Sequence, residues 1–132
     1  MINSNVFNYI NVLDKAADAS WLRNEAIANN IANVDTPGYK RQDITFEKEL
    51  ERALANPGYN NMDDKVAHLN EKNSRRLEAR TYTDYEGYSY RLDGNNVDID
   101  TENTMLASNQ IKYNGLIASI NQEFTNLKMV MK

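Results

Sequence analysis

The chain has 132 residues, 15 of them basic and 19 acidic, for a formal net charge of −4. That size suits one modest domain, and the charge argues against a nucleic-acid partner, because phosphate contacts need a concentrated basic face. There is no Cys, which excludes a disulfide framework and a thiolate metal site, and Gly and Pro are too scarce for a turn-rich all-β sandwich.

Met1 to Leu13 has no basic start and no long apolar run, with Asn3, Asn5, Asn8 and Asn11 interrupting it, so no cleaved signal peptide is expected. No stretch has the length of apolar residues needed to span a bilayer. Val6, Ile10, Leu13, Ala17, Ser20, Asn24, Ile27 and Ile31 follow steps of four and three, the seam of a coiled-coil-like helix. Ala16, Ala17, Ala19 and Ser20 leave its middle narrow enough for another backbone to approach. Asn24 is costly there if buried, and fixing register is the best-attested use of such a residue. The helix should stop near Asn33. Pro37 keeps Thr36 out of the α region and presets its own φ, and Gly38 supplies the positive φ of a type II turn that Tyr39 leaves.

Asp43 to Ala55 places Phe46, Leu50, Ala53 and Leu54 on one side, a short amphipathic third helix ended by Asn56-Pro57-Gly58. Asn60 to Arg80 is polar, with Val66, Leu69 and Leu77 its few apolar residues, and reads as loop or marginal helix. Tyr82, Tyr85, Tyr88 and Tyr90 suit an exposed strand or hairpin, or an interface where tyrosine is enriched. A turn at Asp93-Gly94 and an extended piece with Val97 and Ile99 on one face lead to a last helix capped by Asp100, with Thr101 and Glu102 in its first turn. Leu106, Gln110, Tyr113, Ile117, Ile120, Phe124, Leu127 and Met131 repeat the four-three spacing, with Leu116 and Val130 widening the stripe. Gly115 inside it marks either close packing or a tolerated defect of about 1 kcal/mol.

These elements add up to a mainly α fold. Long N- and C-terminal helices pair as a discontinuous helical domain of residues 1–55 and 93–132, and residues 56–92 form a polar loop or small β insertion. Two stripes at opposite ends bury each other most simply as an antiparallel pair. Between Met105 and Leu127 only Lys112 and Glu123 are charged, so the outer faces are expected to meet further helices.

No enzyme chemistry is visible. His68 is the only histidine and has no second ligand beside it, and no phosphate-cradling loop, nucleophile elbow or paired-histidine helix occurs. The acidic run from Asp93 to Glu102 fails as a calcium loop. Started at Asp98 it has Asn103 where Gly is required and Asn109 where Glu belongs. Neither catalysis nor a cofactor nor a metal is expected.

Asn29, Asn30, Ile31, Ala32, Asn33, Thr36, Pro37, Gly38 and Tyr39, preceded by Ala28, carry a further signal. The run resembles the N-terminal signature of the bacterial flagellar rod and hook family, Ala-Asn-Asn-Ile-Ala-Asn-x-x-Thr-Pro-Gly-Tyr. The length, Lys40 to Asp43, and the approach to the last helix through Asp93, Gly94, Asn95, Asn96, Val97 and Asp98 are similar to a short proximal-rod member. That resemblance implies a structural subunit whose two terminal seams assemble into the inner helical layer of an axial tube. It also implies export through the flagellar type III apparatus without signal cleavage. The implied partners are copies of itself, other rod proteins, the adaptor FliE and the membrane-embedded MS ring. Another short rod protein is the alternative within the family. Outside it, the alternative is a soluble helical adaptor or export chaperone.

Overall fold

A computed structural model describes residues 4–55, 57–72, 77–85 and 91–132. Its elements run α1 (Ser4–Ala32), β1 (Gln42–Thr45), α2 (Glu47–Leu54), α3 (Met62–Lys72), β2 (Arg80–Thr83) and α4 (Ile99–Val130). The frame is the long pair α1 and α4. Asn30 meets Glu102 and Ser20 meets Asn109, so numbers rise along one helix as they fall along the other and the pair is antiparallel.

α1 is buried on two sides because its small residues admit neighbours on both. Ser20 and Ile27 are 1% exposed. On another side Ala19 joins Phe46, Leu69 and Leu77 in the core, with Val12, Ala16 and Leu50 packed around it. The alanines expected to admit a partner backbone thus also seat α2 and α3.

The described residues in the middle of the chain form more secondary structure than their polarity suggests. Residues 62–72, expected as loop or marginal helix, form α3, because Val66 and Leu69 fall on one face and bury to 4% and 2% exposure. Leu77 follows them into the same core at 2%. The expected helix from Asp43 begins only at Glu47, since Gln42–Thr45 pairs antiparallel with Arg80–Thr83 in the register Gln42 to Thr83 and Thr45 to Arg80. The tyrosine segment therefore finds its strand partner across the fold. Tyr82 and Tyr85 are exposed, while Tyr88 and Tyr90 lie outside the described residues.

α4 starts at Ile99, and its cap is Asp98, not Asp100: the Asp98 carboxylate accepts from the Asp100 N–H at 3.1 Å and the Thr101 hydroxyl at 2.9 Å. Those bonds, the Thr101 one foremost, hold the Asp98 carboxyl below its usual range.

Candidate assembly site

The signature residues form the joint between α1 and the rest of the chain. Asn33 closes α1 by donating to the Asn29 carbonyl, from its backbone at 3.1 Å and its side chain at 2.8 Å. The Tyr39 N–H then donates to the Thr36 carbonyl at 3.3 Å across Pro37 and Gly38, and Gly38 has φ +73°. This is the turn that the Pro-Gly order dictates. Thr36, Pro37 and Gly38 are exposed, whereas Asn30 is completely buried.

Asn30 uses all of its amide. Its Nδ2 donates to the Gln42 carbonyl at 2.8 Å and to Glu102 at 3.2 Å, and its Oδ1 accepts from the Gln42 N–H at 2.8 Å and the Tyr39 hydroxyl at 3.1 Å. It therefore acts on β1 as a neighbouring strand would, and supplies both bonds that the outward edge of Gln42 needs.

The stretch before α4 closes the joint from the other side. Asn95, also fully buried, donates to the carbonyls of Asn33, Val34 and Thr36 at 2.9, 3.0 and 2.9 Å and accepts from the Val97 N–H at 2.8 Å. Gly38 N–H donates to Asp93 at 2.7 Å. Gly94, at φ +76°, is positioned so that a Cβ on it would lie 3.9 Å from the Gly38 Cα, so two left-handed glycines pass close to each other. Asn96 sits between the two strands' ends, accepting from the Arg41 N–H and donating to the Asp84 carbonyl, each at 2.7 Å. Val97 is buried.

Charge then fixes α4. Arg41 reaches Glu102 at 2.8 Å, Asp84 at 2.9 Å and Asp43 at 3.4 Å, and Glu102 is 1% exposed. Burial opposes the cation, but the Glu102 and Asp84 carboxylates outweigh it and hold the guanidinium protonated well above its ordinary range. Two turns along, Asn109 donates to Asn24 at 2.7 Å and to the Ser20 carbonyl at 2.8 Å, and accepts from the Ser20 hydroxyl at 2.9 Å. Arg23 grips Glu47 with two bonds of 2.6 Å, and Lys112 of α4 also pairs with Glu47.

These contacts divide the expected C-terminal seam between two faces of α4. Leu106, Tyr113, Ile120 and Leu127 are half-buried, but Gln110, Ile117, Phe124 and Met131 are exposed. The inward positions between them are Asn109, Leu116 and Glu123, each one residue earlier. The choice of Ile117 and Phe124 followed apolarity, whereas the fold buries the polar Glu102 and Asn109 because each has partners waiting. In α1 the seam faces inward at Ile10, Ala17, Ser20 and Ile27, and Val6, Leu13, Asn24 and Ile31 are half-buried. Sequence reasoning did not single out Arg23, Arg41, Glu47, Glu102 or Asn109 as site residues. The available signal was polar residues at inward spacing, Glu102 and Asn109 being seven apart.

The Glu47 carboxyl is held from 4.5 down to about 2, chiefly by its bonds to Arg23 with Lys112 adding to them. A depressed carboxyl contributes stability that is present above its unfolded value and lost as pH falls toward the folded one. Because Glu47 is 44% exposed, solvent screening reduces the contribution to about 1 kcal/mol. Chemical denaturation from pH 5 to pH 2 should show Glu47→Gln losing less stability than the parent chain, by about that amount.

Among the described residues no helix is long and apolar enough to cross a membrane, and no group of His, Asp and Glu is arranged to hold a metal. A terminal helix pair locked by buried amides and by ion pairs to the strands and α2 between them, with an apolar stripe left outside, defines a helix-packing structural protein. The family model for flagella basal body rod proteins matches residues 10–40. The flagellar basal body rod protein FlgB of Borrelia hermsii is 35% identical, covering 97% of this chain and 99% of its own. FlgB of Bacillus subtilis is 34% identical over 90% of this chain and 89% of its own, and that of Escherichia coli 31% over 83% of each. The chain belongs to the FlgB family of flagellar basal body rod proteins and is a structural subunit of the rod.

Proposed function

We propose that the chain is a proximal-rod subunit that polymerises through its terminal helices, links the membrane-embedded MS ring to the rest of the rod, and transmits torque. The observation that carries this reading is the outward stripe of α4. Ile117, Phe124 and Met131 are 37, 47 and 70% exposed and seven residues apart, on a helix already packed against α1. A second apolar stripe at heptad spacing is a surface for a further helix.

Its neighbours in this reading are other copies, other rod proteins and the adaptor FliE. The terminal seams form the inner layer, and residues 56–92 face away from the axis. Laterally packed helices resist twisting because sliding breaks many close contacts together. Export through the flagellar type III apparatus, without signal cleavage, suits such a chain, since long helices are marginal until packed. The role is mechanical and includes no catalysis.

Deleting the gene and imaging motors by electron cryo-tomography tests the proposal. Rings without rods, restored by the intact gene, are expected. Complete motors would overturn it.

A further inference from the structure

We infer that the C-terminal tip of α4 in one copy docks into an acid-rimmed groove along α1 of the next. This inference rests on the polymerising reading above and names the surfaces it would use. Where α1 passes the segment leading into β2, two clefts of about 360 and 280 Å³ share Leu22. Leu22, Leu77 and Ala26 give them an apolar floor, and Asp18, Glu25 and Glu78 an acidic rim, with Lys15 at one end. Asp14 lies one turn before Asp18 on the same stripe. All four of these carboxylates are exposed, and none makes an ion pair among the described residues. An apolar floor beneath unpaired carboxylates fits a segment carrying apolar residues between cations.

The tip of α4 has that chemistry. Met129, Val130 and Met131 are 63, 77 and 70% exposed, between Lys128 and Lys132, which are also exposed and have no ion-pair partner among the described residues. Lysine at a helix C-terminus also answers the helix dipole, but that role does not require an uncovered apolar patch between the cations. Asp14 and Asp18 are one turn apart, about 6 Å along the axis of α1. Lys128 stands in the last turn of α4 and Lys132 just past its C-cap, Met131, so two cations flank the apolar tip and can face two carboxylates.

The contact has to be between copies. The register set by Asn30–Glu102 and Ser20–Asn109 brings the last turn of α4 beside the first turn of α1, roughly 20 Å of helix from Asp18. Groove and tip are different surfaces, so the contact is heterologous. Such contacts propagate into an open helical array when the rotation does not close.

Charge reversal in the full chain tests this. One variant carries Asp14→Lys and Asp18→Lys, a second carries Lys128→Glu and Lys132→Glu, and a third carries all four. The side chains are exposed and unpaired, so thermal melts of the purified proteins should match the parent and report any folding defect separately. In the gene-deleted strain each reversal alone should cut the fraction of motors with rods about tenfold, and the fourfold variant should restore it. Normal assembly with either single reversal overturns the inference. So does failure of the combined variant to recover, which would give the groove to a different basic partner. Complete rods in the deletion strain itself would instead overturn the rod reading, so the two failures are distinguishable.

Discussion

Asn95→Ala is expected to lower the unfolding free energy by about 3 kcal/mol in chemical denaturation, more than any exposed residue of the signature turn. The amide is completely buried and makes four bonds of 2.8 to 3.0 Å. Three of them go to carbonyls of the turn that follows α1, at Asn33, Val34 and Thr36, and tie that turn to the approach of α4. Truncation leaves those carbonyls and the Val97 N–H without the amide. Water can recover some of the loss because Thr36 and Pro37 are exposed beside them, which keeps the estimate below the sum of four bonds. Asn95→Asp discriminates more sharply. It keeps the shape but turns a carboxylate toward three carbonyl oxygens, so at neutral pH it should be less stable than the alanine variant. Part of the loss should return as acid protonates the new carboxyl. A change below about 0.5 kcal/mol in Asn95→Ala would show that the joint is held without it.

The difference between Asn95 and Gly38 shows where sequence reading runs out. The turn was legible because its causes are adjacent: Pro37 fixes one φ, Gly38 supplies the next, and the Thr36–Tyr39 bond closes over them. The long helices were legible from spacing alone. What the amides do was not, because Asn30 and Asn95 act on groups supplied by distant elements, Asn95 reaching the α1 end some sixty residues away. The same cause decides which positions of α4 face α1: apolar spacing selects Ile117 and Phe124, which are exposed, while burial of Asn109 depends on Ser20 and Asn24. α3 was obscured by composition, its inward face having little more than Val66 and Leu69, which suffice only because Ala19 and Phe46 complete the core. β1 and β2 are four residues each with no local hairpin signal. The cap of α4 was misplaced by two residues because Asp98 and Asp100 have the same chemistry, and only the bonds tell them apart.

Breaking the Arg41–Glu102 pair should have the largest effect of any single substitution. Glu102→Ala is expected to cost about 3 to 4 kcal/mol, because it removes the most buried partner of a guanidinium that is itself only 15% exposed. Asp84 and Asp43 still face Arg41, which keeps the loss from being greater. Arg41→Ala should cost about as much, leaving Glu102 with the Asn30 amide as its side-chain hydrogen-bond partner among the described residues. The double variant should cost clearly less than the sum, with a coupling of about 2 kcal/mol, since no buried charge is then left facing its missing counterpart. Additive losses would mean that Asp84 and Asp43 alone hold the arginine. Replacing both with apolar residues, Arg41→Met with Glu102→Leu, separates stability from position. Such swaps of buried pairs often restore stability, but they remove the contact that ties the first turn of α4 to the start of β1 and the end of β2. The expected result is a chain that melts near the parent yet exchanges amide hydrogens faster over residues 99–109, and that builds fewer rods. Full assembly by this variant would show that apolar packing of the terminal helices is enough to present the outer stripe of α4 in register.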